Sequence, residues 1–216
     1  MQRSILSSRS ARAFVSVAGL MVAGGLGVGA AVIAASDRPA APAPLAAPAA
    51  EGTYSFDPAH SSVVFSIRHL GTSNTWGMFH EPTGTFVAGP KGSIEISVPL
   101  DKLDTGNEKR DQHLRSPDFF SAKEFPTITY KSKSITPAGE NAYDVTGELT
   151  LHGQTKPLNV KLEILGAGKG MKGEDIIGAQ ATFTIKRSEW GMNTYVKEGA
   201  VGDEVNLTVA FEGHKQ

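Results

Sequence analysis

The 216-residue chain contains no cysteine. That excludes disulfides, thiolate metal centres and thiol-linked lipid anchors, so the folded part must be held by its own apolar core. Charge of either sign is not in excess, with 21 Lys and Arg against 22 Asp and Glu. Setting aside residues 1–50 removes Arg3, Arg9, Arg12 and Arg38 on one side and Asp37 on the other. It leaves 17 basic against 21 acidic residues, a net −4, which is no footprint for a nucleic acid. His-x-His and His-Glu-x-x-His spacings are both missing, so no metal site and no cofactor is assigned. A nucleophile elbow is missing too. Ser61 lies beside His60 and Asp57, but neighbours in a strand point to opposite faces, so His60 and Ser61 are poorly placed to pair. The chain does not read as an enzyme.

What is present begins at the N-terminus. Arg3, Arg9 and Arg12 precede the uncharged run Phe14–Ala35, "FVSVAGLMVAGGLGVGAAVIAA". A basic start before an apolar segment is the pattern of a secretory signal, and the run also reaches the roughly 20 residues that span a bilayer. Residues 1–35 are therefore expected to be a cleaved signal or a membrane anchor. Either sends the rest across the membrane, which predicts a periplasmic or otherwise exported protein. Residues 36–52, "SDRPAAPAPLAAPAAEG", form an Ala/Pro linker, because proline removes backbone donors and favours extended chain.

From residue 53 the dominant signal is period-two alternation, the mark of strands with one covered and one wet face. "SVVFSIRH" sets Val63, Phe65, Ile67 and His69 on one side. Comparable sets are Ile94, Ile96, Val98 and Leu100; Tyr143, Val145, Leu149 and Leu151; and Leu158, Val160, Leu162 and Ile164. Two more are Ile177, Ala179, Ala181, Phe183 and Ile185, and Val205, Leu207, Val209 and Phe211. Weaker strands fit "TYSFD", "TGTFVA" and "TITYKSKS". Short Gly- and Pro-containing links between them favour an antiparallel barrel or sandwich.

One stretch breaks the pattern. In "DKLDTGNEKRDQHLRSPDFFSAKEFPTI", Thr105 or Asn107 can cap a helix with Glu108 in its first turn and Arg115 in its last, as the helix dipole prefers. Ser116-Pro117-Asp118 reads as a stop and a second cap, placing Phe119 and Phe120 on a short second helix. Burying one phenylalanine is worth about 1.5–3 kcal/mol, so the two rings either plug a barrel end or line the mouth of a cavity.

Several blocks in order carry a resemblance. These are "DPAHSSVVFSIRHLGTSNTWGMF", "DTGNEKRDQHLRSPDFF" with "FPTITYKS", "GELTLHGQTKPL" and "IKRSEWGM". Over residues 53–213 the chain resembles the YceI-like domain, a family of exported polyisoprenoid-binding proteins with a lipocalin-like fold. The resemblance implies an all-β, eight-stranded antiparallel barrel with a helical insertion at about residues 105–122. It also implies an apolar tunnel for an isoprenoid or another long-chain amphiphile, and hence binding, transport or storage of such a lipid. The expected tunnel residues are Phe65, Ile67, Ile94, Ile96, Phe119, Phe120, Ile128, Tyr130, Leu149, Leu151, Phe183 and Ile185. A solid barrel acting as a structural or stress-protection module is the alternative. The Ala/Pro linker departs from the usual layout of the family.

The polar candidates are fewer. Arg68, Arg110 and Arg115 can meet a phosphate-type head group, since guanidinium pairs bidentately with phosphate oxygens. His69, on the inward face, is either a core histidine or a head-group contact. Asp57 and His60 are expected to hydrogen-bond locally, and Arg110 with Asp111 to fix the helix to the barrel. The partners expected are a lipid ligand and no nucleic acid, with membrane association through the N-terminal segment and a homodimer both left open.

Overall fold

A computed structural model describes residues 51–89 and 91–216; the expected signal or anchor (1–35) and nearly all of the linker (36–52) lie outside them. The strands are β1 (Gly52–Phe56), β2 (Ser62–His69), β3 (Ser73–His80), β4 (Thr83–Ala88), β5 (Ser93–Pro99) and β6 (Leu103–Asp104). One helix, α1 (Glu108–Arg115), precedes β7 (Thr127–Gly139), β8 (Ala142–Leu151), β9 (Gln154–Lys169), β10 (Asp175–Lys186) and β11 (Val201–Lys215). All pairings are antiparallel, in the order β1-β4-β5-β7-β8-β9-β10-β11, and β1 pairs back onto β11. This closes an eight-stranded barrel and removes the free edges an open sheet would expose.

The long final strand makes the barrel deep. Its C-terminal end, Gly213–Lys215, pairs with β1, whereas Val201–Ala210 pairs with β2. Strands β3 and β6 then extend the wall beyond β2. Sequence alternation marks nine strands and overlooks β3 and β6. In β3, "SNTWGMFH", the inward positions are Thr75, Gly77 and Phe79, so a hydroxyl and a glycine interrupt the apolar signal. Gly77 is required by packing: a Cβ there would overlap the Phe65 ring and press on Thr105. The tight β8–β9 hairpin turns on His152 and Gly153, both left-handed (φ 52° and 70°), as a two-residue turn matched to strand twist demands.

The interior is not uniform. Around β1, Tyr54, Phe56, Phe86, Ile164, Ile177, Ala179 and Phe211 form a closely packed, buried core, with the Phe56 and Phe211 rings stacked at 4.1 Å. That packing seals one end. Toward the α1 end, Ile67, Ile96, Ile128, Phe183, Val205, Leu207 and Val209 are only partly buried although they face inward. Most of them pack against neighbouring core side chains on one side and border open space on the other.

Candidate ligand cavity

That space is one cavity of about 310 Å³, at the lower end of the range typical of small-molecule sites. Its wall runs from Phe211, Val145 and Leu162 at the sealed end to His69, Arg110, His113, Tyr195 and Val201 at the other. Along β11 the distance from Phe211 to Val201 is roughly 30 Å at about 3.3 Å per residue. The site is long and narrow because one face of each surrounding strand contributes a row of side chains to it.

All twelve residues expected at the tunnel are on this wall, and His69 and Arg110 lie on it as well. Arg68 and Arg115 do not. Arg68 is the neighbour of His69 on β2, so strand alternation turns it outward, where it is exposed. Arg115 is consumed structurally: its guanidinium donates to the carbonyls of Leu100 (3.2 Å), Asp101 (3.3 Å) and Leu103 (2.6 Å). His69 is exposed as well as lining, which sets aside its reading as a core histidine.

Helix α1 sits at the mouth and is fastened there at its N-terminus. Asn107 Oδ1 accepts from the Arg110 N–H at 3.1 Å. The buried Asp111 accepts from Thr105 N–H (2.9 Å) and from the Thr105 hydroxyl (2.5 Å). Arg110 donates through Nε to Thr105 Oγ1 (2.8 Å) and through Nη2 to the Thr105 carbonyl (2.7 Å). Thus Arg110 and Asp111 do tie the helix down, both through Thr105.

The second helix expected after Pro117 does not form. Instead the chain folds back, with Phe120 N–H donating to Leu114 O, Ser121 N–H to Ser116 O and Ala122 N–H to Arg115 O. Ser121 takes a left-handed backbone (φ 49°) to do so. Satisfying the last carbonyls of α1 this way places both phenylalanines on the cavity wall. Phe120 meets Phe79 edge-on at 5.7 Å, and Phe119 packs against His113 (5.1 Å) and Tyr195 (6.3 Å).

Sequence reasoning did not single out Arg187, which the structure puts at the same end. It is buried, and its donors reach the carbonyls of Gly202 (2.8 Å), Met192 (2.9 Å), Thr194 (2.8 Å) and Val201 (3.0 Å). The guanidinium lies 5.9 Å from the centre of the Phe119 ring. Burial lowers its pKa, and Asp203 opposes that shift. Its signal was available: two residues after Ile185, it continues the inward face of β10. Tyr130, also on the wall, donates to Leu158 O (3.2 Å), and burial pushes its phenol up to about 12. Among the described residues, the ionisable groups lining the cavity are His69, Arg110, His113, Arg187, Tyr130 and Tyr195, with no carboxylate.

Asp57, His60 and Ser61 are not on this wall. Asp57 accepts from Ala59 N–H (2.9 Å) and faces His60 Nδ1 (2.6 Å). Ser61 Oγ accepts from Glu212 N–H (3.2 Å), and the exposed His60 turns its Nδ1 to Asp57.

A closed antiparallel barrel around a deep apolar cavity, basic at its mouth, is a β-barrel of lipocalin-like type. Within that class the chain belongs to the YceI-like domain family, whose model matches residues 54–213. A UPF0312 protein of Pectobacterium carotovorum is 34% identical over 172 residues, covering 78% of this chain and 88% of its own length. Among solved structures, Burkholderia cenocepacia BcnA superposes with a TM-score of 0.65 at 26% identity, covering 73% of this chain and 98% of BcnA. A polyisoprenoid binding domain from Saccharophagus degradans shares the fold at TM-score 0.62 and 16% identity, over 76% of this chain and 98% of that domain.

Proposed function

We propose that this protein is a non-enzymatic carrier or store for an isoprenoid or similar long-chain amphiphile, working outside the cytoplasmic membrane. The observation that carries this reading is the cavity itself: about 310 Å³ inside a closed barrel, walled by apolar side chains over most of its length. Moving each methylene from water into such a channel gains about 0.8 kcal/mol, so a long chain supplies affinity with little polar recognition. The polar groups needed for a head group are gathered at one mouth, around His69 and Arg110. The Saccharophagus degradans domain, described as polyisoprenoid binding, supports the reading at the level of the fold. A solid structural barrel would fill these inward faces, whereas Ile67, Ile128 and Phe183 are left partly uncovered. The export-type N-terminal sequence supports the location.

Native mass spectrometry tests the proposal. The chain purified from membrane-containing lysate, or incubated after delipidation with prenyl lipids of graded length, is expected to carry one lipid per protein. A barrel that stays empty under both conditions would refute it.

A further inference from the structure

At the sealed end, outside the cavity, four potential metal-ligand atoms form a ring. His60 Nδ1 lies 2.6 Å from Asp57 Oδ2 and 4.0 Å from Glu212 Oε1. His214 Nε2 lies 3.0 Å from Glu212 Oε1 and 3.7 Å from Asp57 Oδ2. Asp57, His60 and Glu212 present ligand atoms all within 4.8 Å of one another. A tetrahedral ion with ligands at about 2.0–2.2 Å separates neighbouring ligand atoms by about 3.3–3.6 Å. The four sides run from 2.6 to 4.0 Å, and Asp57, His60 and Glu212 are the mutually close set; the exposed His60 side chain would swing toward His214 to complete a four-ligand shell.

The backbone assembles the ring. Glu212 and His214 are two apart on β11, so strand alternation sends both to the same face. The 57–60 turn is clamped beside them by Asp57 N–H donating to Glu212 O at 2.8 Å, and by the Ser61–Glu212 bond described above. A separate observation concerns the far side of His214: its Nδ1 faces Glu174 Oε1 at 3.5 Å. A carboxylate behind an imidazole is the usual support for a metal-bound histidine, because it holds the proton on one nitrogen and aims the other nitrogen's lone pair at the ion. Without an ion, His214 Nε2 is in hydrogen-bond contact with Glu212 Oε1 at 3.0 Å. Binding an ion would exchange that contact for coordination, with the ring proton carried on Nδ1 toward Glu174.

We propose that Asp57, His60, Glu212 and His214 bind one divalent transition-metal ion of the zinc type, with Glu174 as a positioning residue behind His214. The donor set, two imidazoles and two carboxylates, suits zinc and disfavours magnesium and calcium, which take all-oxygen shells. His60 is the outermost ligand, with two-thirds of its side chain exposed, while the other three are a fifth to two-fifths exposed. The ion thus has an open approach.

The test uses the untagged full chain, stripped with chelator and titrated with Zn²⁺ against a chromophoric competitor. One equivalent is expected to bind, with the ring signals of His60 and His214 shifting in NMR spectra. His60→Ala and His214→Ala should each weaken binding at least tenfold, and Glu174→Gln about tenfold. His69→Ala and His113→Ala, at the cavity mouth, should leave it unchanged. Thermal unfolding in chelator separates lost folding from lost ligands, and all five variants should melt with the parent there. Should any variant melt lower, His60→Gln, which keeps the exposed surface polar, carries the comparison. Failure to bind Zn²⁺, or full binding by a His60→Ala/His214→Ala protein, overturns the proposal.

Discussion

Gly77 shows how much a single missing side chain contributes. The Phe65 ring and the Thr105 methyl occupy the place a Cβ would take, so β3 can lie close under α1 only with glycine there. Gly77→Val is expected to destabilise the fold by about 1–3 kcal/mol through overpacking, read as a lower denaturant midpoint at unchanged slope. Tyr130 gives a second prediction at this scale. Its folded-state pKa is raised from 10 to about 12 by burial, so the unfolded chain ionises first as pH rises. The contribution from a neutral Tyr130 is fully present below pH 10 and is lost as pH climbs from 10 to about 12. Denaturant midpoints measured across that window should fall less steeply in Tyr130→Phe than in the parent. Parallel curves would show the assignment to be wrong.

At the scale of elements, α1 is the helical part of the cavity wall, contributing Arg110, His113 and Leu114. It spans only Glu108–Arg115, too short to persist alone in water, and it is fixed by the Asn107 cap, the Asp111–Thr105 bonds and the Arg115 contacts. Asp111→Ala leaves the Thr105 N–H and hydroxyl without that acceptor, which should cost about 1–3 kcal/mol. The loss should be local: amide exchange in residues 105–116 should accelerate before exchange in β10 or β11 does. Under the proposed function, release of a bound prenyl lipid should accelerate in the same variant. The sequence marked this helix and its basic end and offered Thr105 or Asn107 as its cap, of which the structure uses Asn107. It did not reveal the fold-back at Ser116–Ala122, because the carbonyls of Leu114 and Arg115 draw the chain back where Pro117 suggested a new helix start.

For the whole molecule, the distribution of charge is the informative quantity. The folded part is acidic in total, yet the ionisable groups on the cavity wall include two arginines, two histidines and no carboxylate. With the lipid-carrier reading, a prenyl phosphate should bind more tightly than the prenol of equal length. Arg110→Gln should reduce that preference about two- to fivefold, the range for exposed ion pairs; the ratio of the two lipids is the readout, because loosening α1 through the lost Thr105 bonds affects both alike. Competition between the two lipids, followed by native mass spectrometry, measures it.

Nine of the eleven strands, and the inward rows of the strongly alternating ones, were determined by the sequence alone. Val63, Phe65, Ile67 and His69 follow from period two, and so do the rows of β5, β8, β9, β10 and β11, because alternation is a local property of extended chain. The polar groups were a different matter. Arg68 and Arg115 are indistinguishable from Arg110 as letters, yet only Arg110 reaches the cavity, since one strand face turns Arg68 outward and three carbonyls claim Arg115. Arg187 had the right parity, two residues after Ile185, but as a charged residue just past the end of β10 it was not read as part of the inward row. Asp57 and His60 stand some 150 residues from Glu212 and His214. Only closure of β1 onto β11 brings them within coordination distance, because a barrel seam is a long-range contact that no local pattern encodes.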